Sequence, residues 1–499
     1  MMDRFSWMAI YPEIVLLVMA CVIALVDLLD KSRRRTASYA LSVLTLLALA
    51  MLTGYYARFG QTVYGFNRMV VSDPMADWLK CFSSLAMLAA FVYGRGYVTG
   101  RGMLRGGEWY VLGLLSLLGG FVIISANNFL LVYLGLECLT LASYALVALR
   151  RDHVVSVEAA MKYFVLGAMA SGFLLYGLSM LYGATTTLSI TDVAQAIASP
   201  DQSNRQVLVF GLVFVVAGLA FKFGAVPFHM WLPDVYQGAP TAVTLMIGGA
   251  PKLAAFAMAI RLLVEGLWPL AIDWQQMLAL LAIASLLVGN LAAIAQTNLK
   301  RMLAYSTIAQ MGFVLLGLMA GVVNNSAQPE VMANAYGSAM FYVVTYVLTT
   351  LVSFGVILLL AREGFESEEI ADFAGLNQRS PLYAGIMAVC LFSLTGIPPL
   401  VGFQAKLSVL QALIGAGQPT HIALAVFAVL MSLVGAFYYL RVIKVMYFDD
   451  QVGAAGPVSA PLDMRALLTL NGALLLILGI VPGALMTLCE NAIRQMLAT

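Results

Sequence analysis

The sequence has few charged residues and almost no charge excess. Only 10% of its 499 residues are charged, whereas 62% are hydrophobic, and the mean hydropathy is +0.91. Soluble domains carry about a quarter charged residues, so the composition excludes a set of soluble domains. A formal net charge of +2 provides no basic excess for nucleic acid. We therefore predict a polytopic protein whose surroundings are the lipid bilayer, with no nucleic-acid partner.

Cysteine is also scarce. The sequence has no Cys-x-x-Cys pair and no cysteine with a histidine at ligand spacing, which excludes a disulfide framework and predicts no metal site. It also lacks a Gly-x-Gly-x-x-Gly fingerprint and a cysteine cluster, so no dinucleotide or iron–sulfur site is expected in this chain. The five scattered cysteines are Cys21, Cys81, Cys138, Cys390 and Cys489.

Long apolar runs predict an all-α protein with about fourteen membrane-spanning helices, because one span needs about 20 apolar residues. The first run is longer than the apolar region of a signal peptide, so we expect a retained helix. The predicted spans are Met8 to Leu29, Ala37 to Ala57, Met75 to Tyr93, Trp109 to Ser125, Phe129 to Leu149, Val157 to Tyr182, Val207 past Val226, Thr241 to Leu263, Trp274 to Gln296, Met302 to Ala320, Ala335 to Leu360, Leu382 to Ile414, His421 to Tyr447, and Leu467 to Leu488.

The distribution of lysine and arginine predicts the orientation, because these residues accumulate in cytoplasmic loops. With the N-terminus outside, the cytoplasmic loops hold 16 of them: Lys31, Arg33, Arg34, Arg35, Arg95, Arg101, Arg105, Arg150, Arg151, Lys300, Arg301, Arg362, Arg379, Arg441, Lys444 and Arg465. The other side holds 6, namely Arg4, Arg58, Arg68, Arg205, Arg261 and Arg494. An even number of spans then places both termini on the non-cytoplasmic side of the membrane.

Five lysines remain inside predicted helices, where an ionisable group costs a few kcal/mol and usually has a function. They are Lys80, Lys162, Lys222, Lys252 and Lys406. Burial favours the neutral amine and a nearby carboxylate favours the ammonium, so a carboxylate that moves relative to a lysine acts as a switch. Glu137 is the acidic residue nearest a helix centre.

Three other charged residues have simpler explanations. Glu158 and Lys162 are spaced i, i+4 and share one helix face, either as a helix-end ion pair or as part of a proton entry. Lys80 is near a helix start, where snorkelling or pairing with Asp77 is expected.

Two predicted spans are too long and are interrupted by proline. The first contains Lys222 and then Gly224-Ala225-Val226-Pro227, and the second contains Gly396-Ile397-Pro398-Pro399 and then Lys406. Proline breaks helices, and freed carbonyls in a membrane need donors, which Lys222 could supply at the first break. Interrupted helices beside charged residues are typical of transporters built from inverted repeats. We predict two inverted five-helix repeats, at 108–265 and 270–450, with broken helices 7 and 12, between an N-terminal part at 1–107 and a C-terminal helix at 460–499.

Three sequence stretches resemble one family. They are Ala225-Val226-Pro227-Phe228-His229-Met230-Trp231-Leu232-Pro233-Asp234, Gln296-Thr297-Asn298-Leu299-Lys300-Arg301-Met302-Leu303-Ala304-Tyr305-Ser306, and Gly396-Ile397-Pro398-Pro399-Leu400-Val401-Gly402-Phe403 with Lys406. These resemble the signatures of the antiporter-like membrane subunits of respiratory complex I, which are similar to the large subunits of Mrp-type antiporters. The resemblance covers essentially the whole chain.

The resemblance implies a proton-translocating subunit of an NADH:quinone oxidoreductase, a translocase without a redox site of its own. It implies that Glu137 pairs with Lys222, that Lys252 continues the relay, and that Lys406 ends it. Glu158 and Lys162 would lie at the cytoplasmic entry. His229 is either a proton donor to Lys222 or a packing residue.

The resemblance also implies the partners. NADH, FMN, iron–sulfur clusters and quinone would be bound by other subunits of complex I, and neighbouring antiporter-like subunits would contact this chain. Helix 11 has no histidine or lysine, which some relatives use to connect helices 8 and 12. The link from Lys252 to Lys406 is therefore expected to run through water, with Tyr305, Ser306, Tyr342 or Tyr346 as possible supports.

Three alternatives share the same motifs. A stand-alone or Mrp-type cation/proton antiporter would use the same lysines and would depend on sodium rather than NADH. The membrane arm of a hydrogenase is a second alternative. A structural spacer, whose charges only stabilise helix packing, is the third.

Overall fold

The computed structural model describes residues 4–30, 32, 34–104, 106–199, 205–323, 328–361, 365–450, 458 and 460–498. Four basic residues used to predict the orientation, Lys31, Arg33, Arg105 and Arg362, lie outside these ranges.

The described chain is almost entirely helical, as predicted. Its helices are α1 (Arg4–Ala9), α2 (Tyr11–Leu29), α3 (Thr36–Ala57), α4 (Pro74–Gly100), α5 (Glu108–Ser125), α6 (Phe129–Val147), α7 (Val154–Thr185), α8 (Ile190–Ala198), α9 (Arg205–Phe223), α10 (Trp231–Gly238), α11 (Thr241–Gly248), α12 (Ala250–Ala259), α13 (Ala271–Ile294), α14 (Leu299–Met319), α15 (Pro329–Leu360), α16 (Leu376–Arg379), α17 (Pro381–Thr395), α18 (Val401–Gly415), α19 (Pro419–Phe448), α20 (Leu462–Ile480) and α21 (Gly483–Leu497). A π-helical segment spans Ile260–Gly266, and short 3₁₀ helices span Trp268–Leu270 and Ile370–Phe373. Strands β1 (Val63–Gly65) and β2 (Val70–Ser72) form an unpredicted antiparallel hairpin in which Tyr64 faces Val71.

The number of membrane crossings agrees with the sequence prediction. Thirteen helical stretches in the described residues are long and apolar enough to cross a membrane. The shorter α17 and α18, of 15 residues each, follow one another where the sequence predicts one interrupted span, and this pair makes the fourteenth crossing. The breaks in helices 7 and 12 are confirmed.

Burial shows which helices form the centre. In the most apolar stretch of α14, of α15 and of the segment Thr241–Gly266, 94% of the residues are buried. The corresponding share is only 28% in α19 and 33% in α2 and α20, which are therefore at the periphery. The segment Thr241–Gly266 carries Lys252, which therefore lies in the best-packed part of the molecule.

Two asparagines begin helices at equivalent places in the two predicted repeats. Asn128 accepts a hydrogen bond from the Leu130 amide at 2.9 Å at the start of α6, and Asn298 accepts one from the Arg301 amide at 3.0 Å at the start of α14. Such side chains satisfy donors that a helix start leaves free. Asn128 also forms an antiparallel bridge with Ser189, after the next helix of its repeat, and Asn298 forms the same bridge with Glu369.

These two bridges lie at opposite ends of the helix bundle. The Asn128 bridge is at the end where α2 and α4 begin, and the Asn298 bridge is at the end that carries Arg101, Arg150 and Lys300, which we call the basic end. Because the same local structure recurs with reversed direction, it supports two inverted repeats.

Two predicted spans differ in detail. The eighth span is not continuous, because the chain is interrupted at Gly249 between α11 and α12 and ends in the π-helical segment. Pro251, two residues after Gly249, explains the interruption. The last span ends at Ile480 rather than Leu488, and the amphipathic α21 follows it after Pro482.

Candidate functional site: two broken helices and their lysines

At the first break, α9 ends at Phe223, and Gly224 adopts a positive φ of 76° that suits glycine at a helix end. The carbonyls freed there have donors from other helices. Lys252 Nζ donates to the carbonyl oxygens of Lys222 at 3.1 Å and Phe223 at 2.9 Å, and Trp231 Nε1 donates to Phe221 O at 3.0 Å. The prediction that Lys222 supplies these donors is wrong, because Lys252 reaches the helix end from α12.

The Lys222 ammonium is buried and makes no hydrogen bond within the described chain. Its Nζ lies 5.8 Å from the centroid of the Phe221 ring. Together with Lys252, Tyr163 and Trp231 it lines a cavity of about 20 Å³, enough for one water molecule. Lys222 and Lys252 therefore differ. The Lys252 ammonium is bound to a helix end, whereas the Lys222 ammonium faces a small cavity whose other walls are mainly apolar.

Glu137 lies half-buried on α6, next to Tyr133 one turn earlier. It interacts electrostatically with Lys222, but in the described residues no cation lies within 4.0 Å of its carboxylate. The structure therefore has the two groups as neighbours without a closed ion pair, whereas the resemblance implies a pair.

The second break has the same construction. Helix α17 ends at Thr395, and Gly396 has a φ of 90°. Lys406 Nζ, from α18, donates to Leu394 O at 3.0 Å, to Thr395 O at 2.9 Å and to Ser432 Oγ at 2.7 Å. Each broken helix thus ends against an ammonium group, which satisfies carbonyls that would otherwise be unpaired in an apolar interior.

A polar network on α14 and α15 extends from the second break towards the first. Gln310 Nε2 donates to Leu394 O, which Lys406 also binds, and to the Tyr439 hydroxyl, both at 3.1 Å. The Tyr342 hydroxyl donates to Gln310 Oε1. One turn before Gln310 along α14, Thr307 accepts a hydrogen bond from Tyr346 at 2.7 Å.

The predicted polar supports of this link are largely in place. Tyr342, Tyr346 and Ser306 belong to the network, and Ser306 is hydrogen-bonded to Tyr439. A second cavity of about 20 Å³ lies between Lys406, Gln310 and the two tyrosines Tyr342 and Tyr346. Tyr305 is not a member, since no hydrogen bond of its side chain joins the network.

Glu158 and Lys162 form the expected i, i+4 ion pair at 2.9 Å near the basic end. Lys162 also contacts Asp234 of α10 at 2.9 Å, and Arg301 of α14 contacts the same Asp234 at 2.7 Å. The pair is therefore part of a partly exposed chain of four charges that joins the two predicted repeats.

His229 lies in the break between α9 and α10. Its Nδ1 is buried and has no hydrogen-bond partner in the described chain, so no hydrogen bond joins this nitrogen to Lys222. Both readings of this residue therefore stay open.

Lys80 differs from its prediction. Its side chain is fully buried rather than snorkelling, and its Nζ pairs with Glu13 of α2 at 2.8 Å rather than with Asp77. Glu13 in turn accepts a hydrogen bond from Ser125.

Comparison with known proteins decides the family. Residues 126–432, which include both breaks and the network between them, match the family described as NADH:quinone oxidoreductase/Mrp antiporter, TM. The chain belongs to this family. The NADH-quinone oxidoreductase subunit N of Polaromonas naphthalenivorans (strain CJ2) is 70% identical over 497 residues, which cover 99% of each chain. That of Herminiimonas arsenicoxydans is 58% identical over 501 residues and covers all of both chains.

Solved structures of the family have the same fold. A chain of respiratory complex I from Thermus thermophilus with bound aureothin is 31% identical, has a TM-score of 0.77, and matches 95% of this chain and 98% of its own length. A chain of the Mrp complex from Dietzia sp. DQ12-45-1b is 22% identical, with a TM-score of 0.82, and matches 99% of this chain and 97% of its own length. The second likeness concerns the fold alone.

Sequence reasoning missed several residues of this family member. Gln310, Tyr439 and Ser432 were not singled out, although Gln310 lies four residues after Ser306 on one helix face and was detectable by that spacing. Lys300 and Arg261, counted as loop or helix-end charges, are in fact only 1% exposed. Two of their partners, Asp73 and Glu368, are distant in the chain, so no local pattern predicts them, whereas Glu265 lies four residues after Arg261 at helical spacing.

Lys300 connects three parts of the basic end. Its Nζ donates to Ala239 O at 2.8 Å, directly after the broken helix, and pairs with Glu368 at 2.9 Å. Glu366, two residues earlier, pairs with Arg150 at 2.8 Å and with Arg101 at 3.3 Å. Residues 365–369 are therefore held by ion pairs with both predicted repeats and with the N-terminal part.

Proposed function

We propose that this chain is the proton-translocating antiporter-like membrane subunit of a bacterial NADH:quinone oxidoreductase. The observation that carries the proposal is the repeated arrangement in which a lysine binds the free end of a broken helix, with a hydrogen-bonded network leading from one break towards the other. Charged groups in a membrane interior are costly and are typical of proton relays. A purely structural spacer needs no cavities beside the lysines.

In this proposal Lys222 is the group that receives a proton, because it alone of the three central lysines has no hydrogen bond. Glu137 controls it: when the carboxylate approaches, the ammonium is favoured, and when it withdraws, the neutral amine is favoured. The proton then passes to Lys252 across their shared cavity, in which a single water molecule can bridge the two groups.

From Lys252 the proton reaches Lys406 through the network on α14 and α15. Hydroxyl and amide groups donate and accept at once, so Tyr346, Tyr342 and Gln310 can order the water molecules that carry the proton. The charge chain of Glu158, Lys162 and Asp234 supplies protons from the basic end, which we place in the cytoplasm because cytoplasmic segments collect lysine and arginine. The termini then lie on the periplasmic side of the inner membrane.

The proposal assigns the redox chemistry to partner subunits. NADH, FMN, iron–sulfur clusters and quinone would be held there, and a neighbouring antiporter-like subunit would cover part of the apolar surface. Quinone reduction in a partner would then move charge near Glu137, and this chain would respond by proton transfer.

The test uses inside-out membrane vesicles that contain the assembled complex. Lys222→Ala and Lys406→Ala are expected to lower NADH-driven acidification of the vesicle interior while the complex remains assembled on a native gel. Arg465→Ala, in the first turn of α20 and away from both breaks, is the control. Normal acidification in both lysine variants would refute the proposal.

A cation/proton antiporter remains the second candidate, because the Mrp chain has the same fold. Sodium-dependent proton exchange without NADH, by vesicles in which this chain does not co-migrate with NADH oxidation, would favour it.

A further inference from the structure

A second group of buried charges lies at the end of the bundle opposite the basic end. Lys80 pairs with Glu13 at 2.8 Å, and Arg261 pairs with Asp73 and with Glu265, each at 2.7 Å. Arg261 and Asp73 have side chains only 1% exposed, and Glu265 is 18% exposed. The group joins α2, the start of α4 and the π-helical segment.

Asp77 is the member without a cation. It is only 3% exposed, and its carboxylate accepts hydrogen bonds only from the Ser72 hydroxyl, at 3.1 and 3.3 Å. No lysine or arginine of the described chain lies within 4.0 Å of it. Lys80, one turn later on α4, attracts the charge of Asp77 but is paired with Glu13. A buried carboxylate that shares its cation in this way avoids the cost of charge burial by taking up a proton.

The charge balance of the whole group leads to the same result. Four carboxylates share two cations, so full ionisation would leave two negative charges in a nearly closed space. Glu13 Oε2 is moreover buried without a hydrogen-bond partner, as is the Tyr11 hydroxyl beside it. The titratable groups that face one another here are Tyr11 and Glu13 from α2, Tyr56 from α3, Asp73, Asp77 and Lys80 from the start of α4, and Arg261 and Glu265 from the π-helical segment.

Three successive residues of α5 connect this group with the lysine cavity. Ile123 lines the cavity of Lys222 and Lys252. The carbonyl of Ile124 accepts a hydrogen bond from Arg261 Nε at 3.3 Å, and the Ser125 hydroxyl donates to Glu13 at 2.8 Å. Successive helical residues rise by about 1.5 Å, so the group begins within one turn of the cavity wall.

We propose that Asp77 is a proton-binding site at the end of the bundle opposite the basic end, where the N-terminal part meets the first repeat. The group around it would carry protons from the lysine cavity towards the surface at Glu265. Asp77 holds a proton in the resting protein, and the Glu13–Lys80 pair exchanges with it. This proposal rests on the proposed function for the direction of transfer, but the bound proton itself does not depend on it.

The experiment compares Asp77→Asn and Asp77→Glu in the assembled complex. Because an amide has the shape and neutrality of a protonated acid, Asp77→Asn is expected to assemble at the wild-type level and to lose NADH-driven acidification of inside-out vesicles. Asp77→Glu restores a proton-binding group and is expected to recover acidification. Glu330→Gln is the matched control, since Glu330 is at the same end but 79% exposed and paired with Arg494.

Infrared spectra of the purified complex supply an independent measurement. The band of a protonated carboxyl group is expected at neutral pH in the wild type and is expected to be weaker in Asp77→Asn. Failure of Asp77→Asn to assemble, an unchanged carboxyl band, or unchanged acidification overturns the proposal. Lys222→Ala and Lys406→Ala are measured in parallel. Normal acidification in both refutes the proposed function, whereas a loss in both with normal acidification in Asp77→Asn refutes only the site at Asp77.

Discussion

At the scale of single residues, three lysines with the same chemistry have different surroundings. Lys252 and Lys406 each hold the end of a broken helix through backbone carbonyls, whereas Lys222 holds nothing. The first two therefore have a structural role beside the one proposed in the relay, whereas Lys222 has only the proposed role. Substitutions should separate these roles.

We expect Lys252→Met to destabilise the assembled complex and Lys222→Met not to do so. The first change leaves the carbonyls of Lys222 and Phe223 without their donor, which costs about 1–3 kcal/mol for each unsatisfied group. The second removes a buried ammonium that has no hydrogen bond and replaces it with an apolar chain of similar length. The midpoint of thermal dissociation of the solubilised complex measures the stability of both variants. Equal midpoints would contradict a structural role of Lys252 that Lys222 lacks.

Gln310 is expected to be required for transfer between the two breaks. Gln310→Leu keeps the approximate volume but removes the bonds to Leu394 O and to two tyrosines, so NADH-driven acidification should fall. The control is Gln296→Leu, because Gln296 Nε2 bonds only a carbonyl of its own helix at 2.8 Å. Equal acidification in the two variants would remove Gln310 from the path.

At the scale of helices, the sequence predicts the breaks themselves but not what stabilises them. Gly224, Pro227, Gly396 and Pro398 mark the two interruptions, because glycine and proline have local effects that need no tertiary information. The donors that satisfy the broken ends come from other helices. Lys252 was therefore recognised as a buried lysine while its structural role was assigned to Lys222.

We expect Gly396→Ala to displace Lys406. A Cβ atom there would lie 2.9 Å from Lys406 Cδ, and the φ of 90° is unfavourable for alanine. Gly415→Ala, at the other end of α18, meets no atom within 4 Å and is the control. The strain should lower the stability of the Gly396→Ala variant by about 1–3 kcal/mol. Assembly and acidification should therefore fall in this variant and not in Gly415→Ala.

At the scale of the whole molecule, hydrophobic runs were sufficient for the fold and distant contacts were not predictable. The fourteen crossings follow from length and hydropathy, since a bilayer fixes how long a helix must be. The ion pairs of Arg261 with Asp73 and of Lys80 with Glu13 join residues 188 and 67 positions apart, and no local pattern contains them. The same holds for Arg301 and Asp234.

The orientation leads to a further prediction for the intact chain. Alkaline phosphatase fused after Thr499 is expected to be active in cells, because both termini would be periplasmic, whereas a fusion in the loop after α19 should be inactive. The reverse pattern would exchange the two sides of the membrane and with them the direction assigned to the relay.

The bonds of Lys406 and Lys252 can be compared by counting hydrogens. An ammonium group has three. Lys252 uses two of them, on two carbonyls, so its third hydrogen can leave while both bonds persist. Lys406 uses all three, so it can release a proton only after one of these hydrogen bonds breaks. The Ser432 hydroxyl can then rotate and donate to the lone pair left on Lys406 Nζ. In the proposed relay we therefore expect the proton to be retained longest at Lys406 and its release to depend on the rotation of the Ser432 hydroxyl.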